Sequence, residues 1–190
     1  MPARLFKRLQ HLYALGPLAH PILDPVDNHP TLLAADLGGL GCPGFIHLLP
    51  RRWLNPAQLL LLALCHHRLQ PKLAEALPWV AVEYADLDWP WLVDRAKLAD
   101  CQNRLGFVVT LARQIATRRQ AKDVGRRLGQ IEGIIEDSKL AREDAFGLGQ
   151  VPAERLVWLR DNRSDDARKW NVLSDLRLER LQKYVVPDYH

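Results

Sequence analysis

Forty consecutive residues, Asn103 to Arg142, contain no proline, and no other stretch restricts the fold as tightly. Along it apolar residues recur as Phe107, Leu111 and Ile115, then as Val124, Leu128, Ile131 and Ile135. Steps of four and four, then of four, three and four, align side chains on one face of a helix that packs against neighbours. Between the two groups lies a basic surface of Arg113, Arg118, Arg119, Lys122, Arg126 and Arg127, with Asp123 as its one counter-charge. The pattern predicts a long basic helix at about 103–142, or two helices broken near Ala121–Gly125, covered on its apolar side by shorter helices.

Those shorter helices are marked by their starts and stops. Residues Ala3 to Leu15 alternate Leu5, Phe6, Leu9, Leu12 and Tyr13 with Arg4, Lys7 and Arg8, an amphipathic helix closed by Gly16-Pro17. Prolines 17, 21, 25 and 30 make the following segment an extended connector. A short helix is expected over Thr31–Leu37, ended by Gly38-Gly39, and Gly44–Pro50 is the one stretch with strand character. Asn55-Pro56 and Asp88-Trp89-Pro90 are helix starts, each pairing an N-cap acceptor with a proline that needs no N–H. The helix after Asn55, to about Leu69, is apolar almost all round and so belongs at the centre of a core. Pro71 starts another helix that Pro78 should end. Later, Pro152 opens a helix to about Arg160, Ser164 caps one over Asp165–Trp170, and Ser174 caps a last one to about Tyr184.

The resulting expectation is an all-α multi-helix bundle, with residues 1–145 as the main domain and 150–186 as a helical extension packed on it. Matching Pro56 to Pro90 at an offset of 34 sets Leu64 over Leu98, an echo of paired-helix repeat packing. With 48% hydrophobic and 25% charged residues the chain has material for a substantial core. Three cysteines, Cys42, Cys65 and Cys101, do not read as a disulfide framework. The run Leu59–Cys65 falls well short of the roughly 20 residues a membrane span needs, and the first residues lack the apolar block of a secretory signal. A cytoplasmic, reduced protein without membrane contact is expected.

Three kinds of chemistry can be set against these residues. A zinc site would draw on Cys42, His47, Cys65, His66, His67 and Cys101, but neighbouring helical side chains point about 100° apart and the close ligand pairs zinc prefers are missing. Buried thiols and edge histidines account for the same residues, so no metal or other cofactor is expected. A carboxylate site could combine Glu83, Asp86, Asp88 and Asp94 with Trp79, Trp89 and Trp91, as acids beside aromatics do in acid–base work. Asp88 is already explained as a cap, and no nucleophile elbow, phosphate loop or dinucleotide fingerprint is present.

Nucleic-acid binding is the remaining class. Residues Asp123 to Ile135 are similar to a helix-turn-helix in their placement of Gly125, Leu128-Gly129 and Ile134-Ile135. They depart from it at Gln130, where an apolar residue is usual, and at Glu136-Asp137, which would face phosphate; a continuous helix with a charged face fits better. The basic band needs no such motif, because cation number governs affinity for a phosphate backbone. The function expected is therefore that of a non-enzymatic regulatory binding protein, antitoxin-like or a transcription-regulator component, contacting nucleic acid through Arg113, Arg118, Arg119, Lys122, Arg126 and Arg127. The alternatives are a helical scaffold whose Trp53, Trp89 and Trp91 meet a protein partner or a second copy, and an enzyme using the acids near Trp89.

Overall fold

The computed structural model describes residues 29–49, 52 and 54–185. The amphipathic helix expected at 3–15, the proline-rich connector up to residue 28, Arg51, Trp53 and the tail after Val185 lie outside them. Helices dominate the described residues, as the proline and cap pattern predicts: α1 (Pro30–Gly39), α2 (Pro56–Cys65), α3 (Pro71–Glu83), α4 (Trp89–Leu98), α5 (Gln102–Arg118) and α6 (Lys122–Glu136). A short β1 (Asp144–Ala145), α7 (Ala153–Asn162), α8 (Asp165–Lys169), β2 (Val172–Leu173), a 3-10 turn (Leu178–Leu181) and α9 (Gln182–Val185) follow. None of these helices is long and apolar enough to cross a membrane.

The helix starts are physical caps. The Asn55 side chain accepts the Ala57 N–H at 2.8 Å and Asp88 accepts the Trp91 N–H at 3.1 Å, each satisfying a donor that the helix cannot use itself. Ser164 Oγ does the same for the Ala167 N–H. Proline stands in the first turn of α1, α2, α3 and α4, where the lost N–H costs nothing.

The core forms around α5. Every residue from Cys101 to Ala112 is buried, polar ones included, so this helix is enclosed on all sides over three turns. Helix α3 packs on it, and α2, likewise buried from Leu59 to Leu64, completes the layer behind. From the other side α6 returns antiparallel, presenting Leu128, Glu132 and Ile135 at helical spacing. The C-terminal segment then lies across this pair. Trp170 is wholly buried against Gly106, where a Cβ would overlap its six-membered ring, and Leu181 and Tyr184 join the same apolar core.

Several expectations are corrected. The long stretch takes the second of its two expected forms, two helices, with the break centred on Gln120, just before the expected Ala121–Gly125 window. Gln120 takes a left-handed φ of 57° while Ala121 N–H reaches Ala116 O and Gln120 N–H reaches Thr117 O, the double bond pattern that closes a helix end. Helix α6 runs unbroken through residues 128–132, so the helix-turn-helix likeness has no turn behind it. Pro78 does not end α3, which continues to Glu83. Leu77, Val80, Ala81 and Val82 are all buried, and that packing outweighs the one lost backbone bond. Residues 43–47 are turns rather than a strand; the strand pair is instead β1 and β2, parallel, with Asp144 opposite Val172 and Ala145 opposite Leu173. Leu176 is not in a helix, because Ser174 turns the chain and helical geometry resumes only at Leu178. The repeat echo does not extend to packing: Leu64 is fully buried while Leu98 is 77% exposed.

Candidate functional site

The six basic residues singled out by sequence part into two groups. Arg113 and Arg119 are engaged by the protein's own acids. Arg113 Nε donates to Glu132 at 2.7 Å. The Arg119 side chain is only 10% exposed; its guanidinium is paired with Glu83 and donates to the Tyr184 carbonyl at 2.8 Å. These two are structural ties, and Arg119 leaves the surface set altogether. The six cations are spread over two helices and point at several angles around each, so they do not share one side.

The other four remain exposed around the turn between α5 and α6: Arg118 on the last turn of α5, and Lys122, Arg126 and Arg127 on the first turns of α6. Arg118 and Lys122 make no hydrogen bond or ion pair with any described residue. Arg126 pairs with Asp123 at 2.9 Å, but both side chains are open to water and such a pair is weak. Arg127 reaches the Ala85 carbonyl at 3.2 Å. Two helix ends therefore bring four cations together at one tip, with Asp123 the acid among them.

The aromatic set is also redistributed. Trp89 is buried, its indole N–H bonded to the Ala85 carbonyl at 3.0 Å, so it offers nothing to a partner. Trp91 is half-buried against the core. Trp158 instead is 46% exposed on α7 beside Val157, with the Arg155 guanidinium 4.4 Å from its ring centre. The spacing of α7 carried no signal for this, because only Leu159 of that helix is buried.

The acids near Trp89 have separate surroundings. Glu83 is occupied by Arg119, Asp88 caps α4, and Asp94 is exposed on the outer face of α4. Among the described residues no group of three or more His, Cys, Asp or Glu gathers to hold a metal.

Two buried polar clusters were not legible in the sequence. Glu132, on the inward face of α6, accepts from Thr110 at 2.9 Å, Arg113 and Lys169, and Trp170 Nε1 donates to the same Thr110 hydroxyl at 2.7 Å. Burial disfavours its charge, yet the hydrogen bonds from Lys169 and Thr110 and the charge of Arg113 prevail and hold its carboxyl below the usual range. At the other end of α5, Arg104 donates to both carboxylate oxygens of Asp144 at 2.5 and 2.6 Å and to the Leu64 carbonyl at 2.7 Å. Asn103 exchanges two bonds with the backbone of Leu140. Every member of these clusters has a partner within the chain, which is how a structural clamp is built rather than a reaction centre.

Beside the Arg104 clamp a cleft of about 390 Å³ opens between His67–Arg68 and the loop Ala145–Val151, closed at one side by Leu156. Its walls carry no carboxylate and no thiol, so acid–base or nucleophilic work there has no agent but His67. Known protein families, curated proteins and solved structures contain no match to this chain.

Proposed function

We propose that this is a non-enzymatic binding protein that grips the phosphate backbone of a nucleic acid with the tip formed by Arg118, Lys122, Arg126 and Arg127. The supporting observation is the pair Arg118 and Lys122, exposed at the turn between two helices without any described partner of their own. Cations already tied to internal acids gain little from phosphate, whereas solvated ones exchange counterions for it and bind in proportion to their number. Four cations are too few for sequence readout by themselves; they favour contact with backbone in either single or double strands.

A titration of labelled random single and double strands, read by anisotropy at 50 and 200 mM salt, tests this. Four phosphate contacts imply a slope of log affinity on log salt of about −3 to −4, or a loss of roughly 100-fold between those salt concentrations. The triple variant Arg118→Glu, Lys122→Glu, Arg126→Glu should remove binding while leaving the melting temperature within a few degrees. No binding by the parent protein, or equal binding by the variant, overturns the proposal.

A protein-partner reading rests on a separate observation, the exposed Val157–Trp158 pair on α7. Tryptophan and arginine carry a disproportionate share of interface energy, and Arg155 stacks on this ring. Under that reading Trp158→Ala releases a co-purifying partner and the tip variant does not.

A further inference from the structure

Cys65 and Cys101 stand 36 positions apart in sequence, and the fold places their sulfurs 3.7 Å from each other. Cys65 is the last residue of α2 and Cys101 is the N-cap residue of α5, so two helix ends meet through thiols. Both are free, Cys65 half-buried and Cys101 buried. We propose that they are an oxidation site: a dithiol that a hydroperoxide converts to an intramolecular disulfide, with Cys65 attacking first and Cys101 resolving.

The roles follow from position. Cys65 is the more accessible of the two, and although it ends α2 its sulfur lies against Cys101 at the start of the 17-residue α5, where unpaired backbone N–H groups favour negative charge. The Cys101 thiol hydrogen-bonds it and the Arg104 guanidinium lies nearby; together these hold the Cys65 thiol below its ordinary value against the opposing effect of burial. The same hydrogen bond, then burial, pushes Cys101 up, so it stays protonated until it is needed.

The chemistry balances in two steps. The Cys65 thiolate attacks one peroxide oxygen and the O–O bond breaks, giving the sulfenic acid and hydroxide, or, where the peroxide is organic, an alkoxide that water protonates to the alcohol. Cys101 sulfur then attacks the Cys65 sulfur, the S–OH bond breaks, and the thiol proton leaves with that oxygen as water. The two sulfurs are oxidised and the peroxide is reduced. The starting separation exceeds the bond length of about 2.05 Å by less than two ångströms, and helix ends accommodate such a shift more readily than helix interiors.

The bond would close a loop containing all of α3 and α4. Cross-linking a loop of this length restricts the unfolded chain, so the oxidised protein should melt about 5–10 °C above the reduced one. Cys42 has no part in this, since it is buried in another region of the core and its thiol is pushed up to about 12 by burial.

The experiment uses the full chain, reduced, freed of reductant, and treated with hydrogen peroxide under native conditions. Thiols are then counted after denaturation, and a non-reduced digest is read by mass spectrometry. The expected result is a fall from three thiols to one, a peptide pair joined at Cys65 and Cys101, and the rise in melting temperature. With Cys101→Ser the Cys65 sulfenic acid should persist and react with dimedone; with Cys65→Ser no disulfide should form. Because the parent protein alone yields the linked peptide, an unstable variant does not obscure the answer. Three remaining thiols, a link involving Cys42, or a bond formed only between molecules overturns the proposal.

Discussion

Glu132 shows how a single side chain ties distant segments together. Its carboxylate holds Thr110 and Arg113 from α5 and Lys169 from α8, so it joins the helical hairpin to the C-terminal part of the chain. Glu132→Gln should cost about 2–3 kcal/mol in a denaturant titration, the loss of charge-assisted bonds rather than of a whole buried pair, because Arg113 and Lys169 are exposed enough to return to water. The pH dependence follows by sign. Glu132 titrates below its ordinary 4.5 in the folded protein, so its contribution is present above that value and is lost as pH falls through the lowered one. Burial of Lys169 opposes its charge but the bonds to Glu132 and Glu136 overcome this and raise it above 10.5, so its contribution is complete below that value and fades as pH climbs past it. Melting temperature against pH should therefore fall at both ends in the parent protein, and the acidic fall should be smaller in Glu132→Gln. In the sequence Glu132 is one acid on a helix with a charged face. Its alignment with Leu128 and Ile135, at steps of four and three, was visible there, but the partners on α5 and α8 that make a buried carboxylate tolerable were not.

Helices α5 and α6 differ in what their glycines permit. Gly106 lies under the Trp170 ring, while Gly133 faces open space and a Cβ at Gly129 would touch Arg113 Cδ at an ordinary 3.6 Å. Alanine is the better helix former by about 1 kcal/mol wherever there is room for it. Gly133→Ala should thus stabilise the protein by about 0.5–1 kcal/mol, and Gly106→Ala should destabilise it by about 1–3 kcal/mol through overlap with the indole. Removing the ring with Trp170→Ala should cost about 3–5 kcal/mol but make the added Gly106→Ala neutral or favourable, a coupling that a double-mutant cycle in denaturant measures. The hairpin turn gives a further test. Gln120 holds a left-handed φ that an L side chain reaches at a cost of about 1–2 kcal/mol, partly offset by the freedom glycine would bring to the unfolded chain. Gln120→Gly should stabilise by about 0.5 kcal/mol in the same titration. The sequence pointed to a break near Ala121–Gly125, and the turn falls just before that window, at a glutamine whose left-handed backbone has no mark in the sequence.

Over the whole molecule, charge and burial divide the basic residues between structure and surface. The triple reversal at the tip tests the surface group. Arg119→Ala tests the structural one, and should cost about 2–3 kcal/mol of stability, since it removes the guanidinium that pairs with Glu83 and donates to the Tyr184 carbonyl. Sequence alone determined that the chain is helical and where most helices begin. Proline placement, Asn, Asp and Ser caps, and apolar steps of three and four act over a few residues, so they can be read without knowing what lies opposite. The tertiary structure decided which arginines stay in water, that Pro78 is carried inside a helix, that Trp158 and not Trp89 is exposed, and that Cys65 meets Cys101. Each of those outcomes depends on groups tens of residues apart arriving at one place, and their energy belongs to the encounter rather than to either segment.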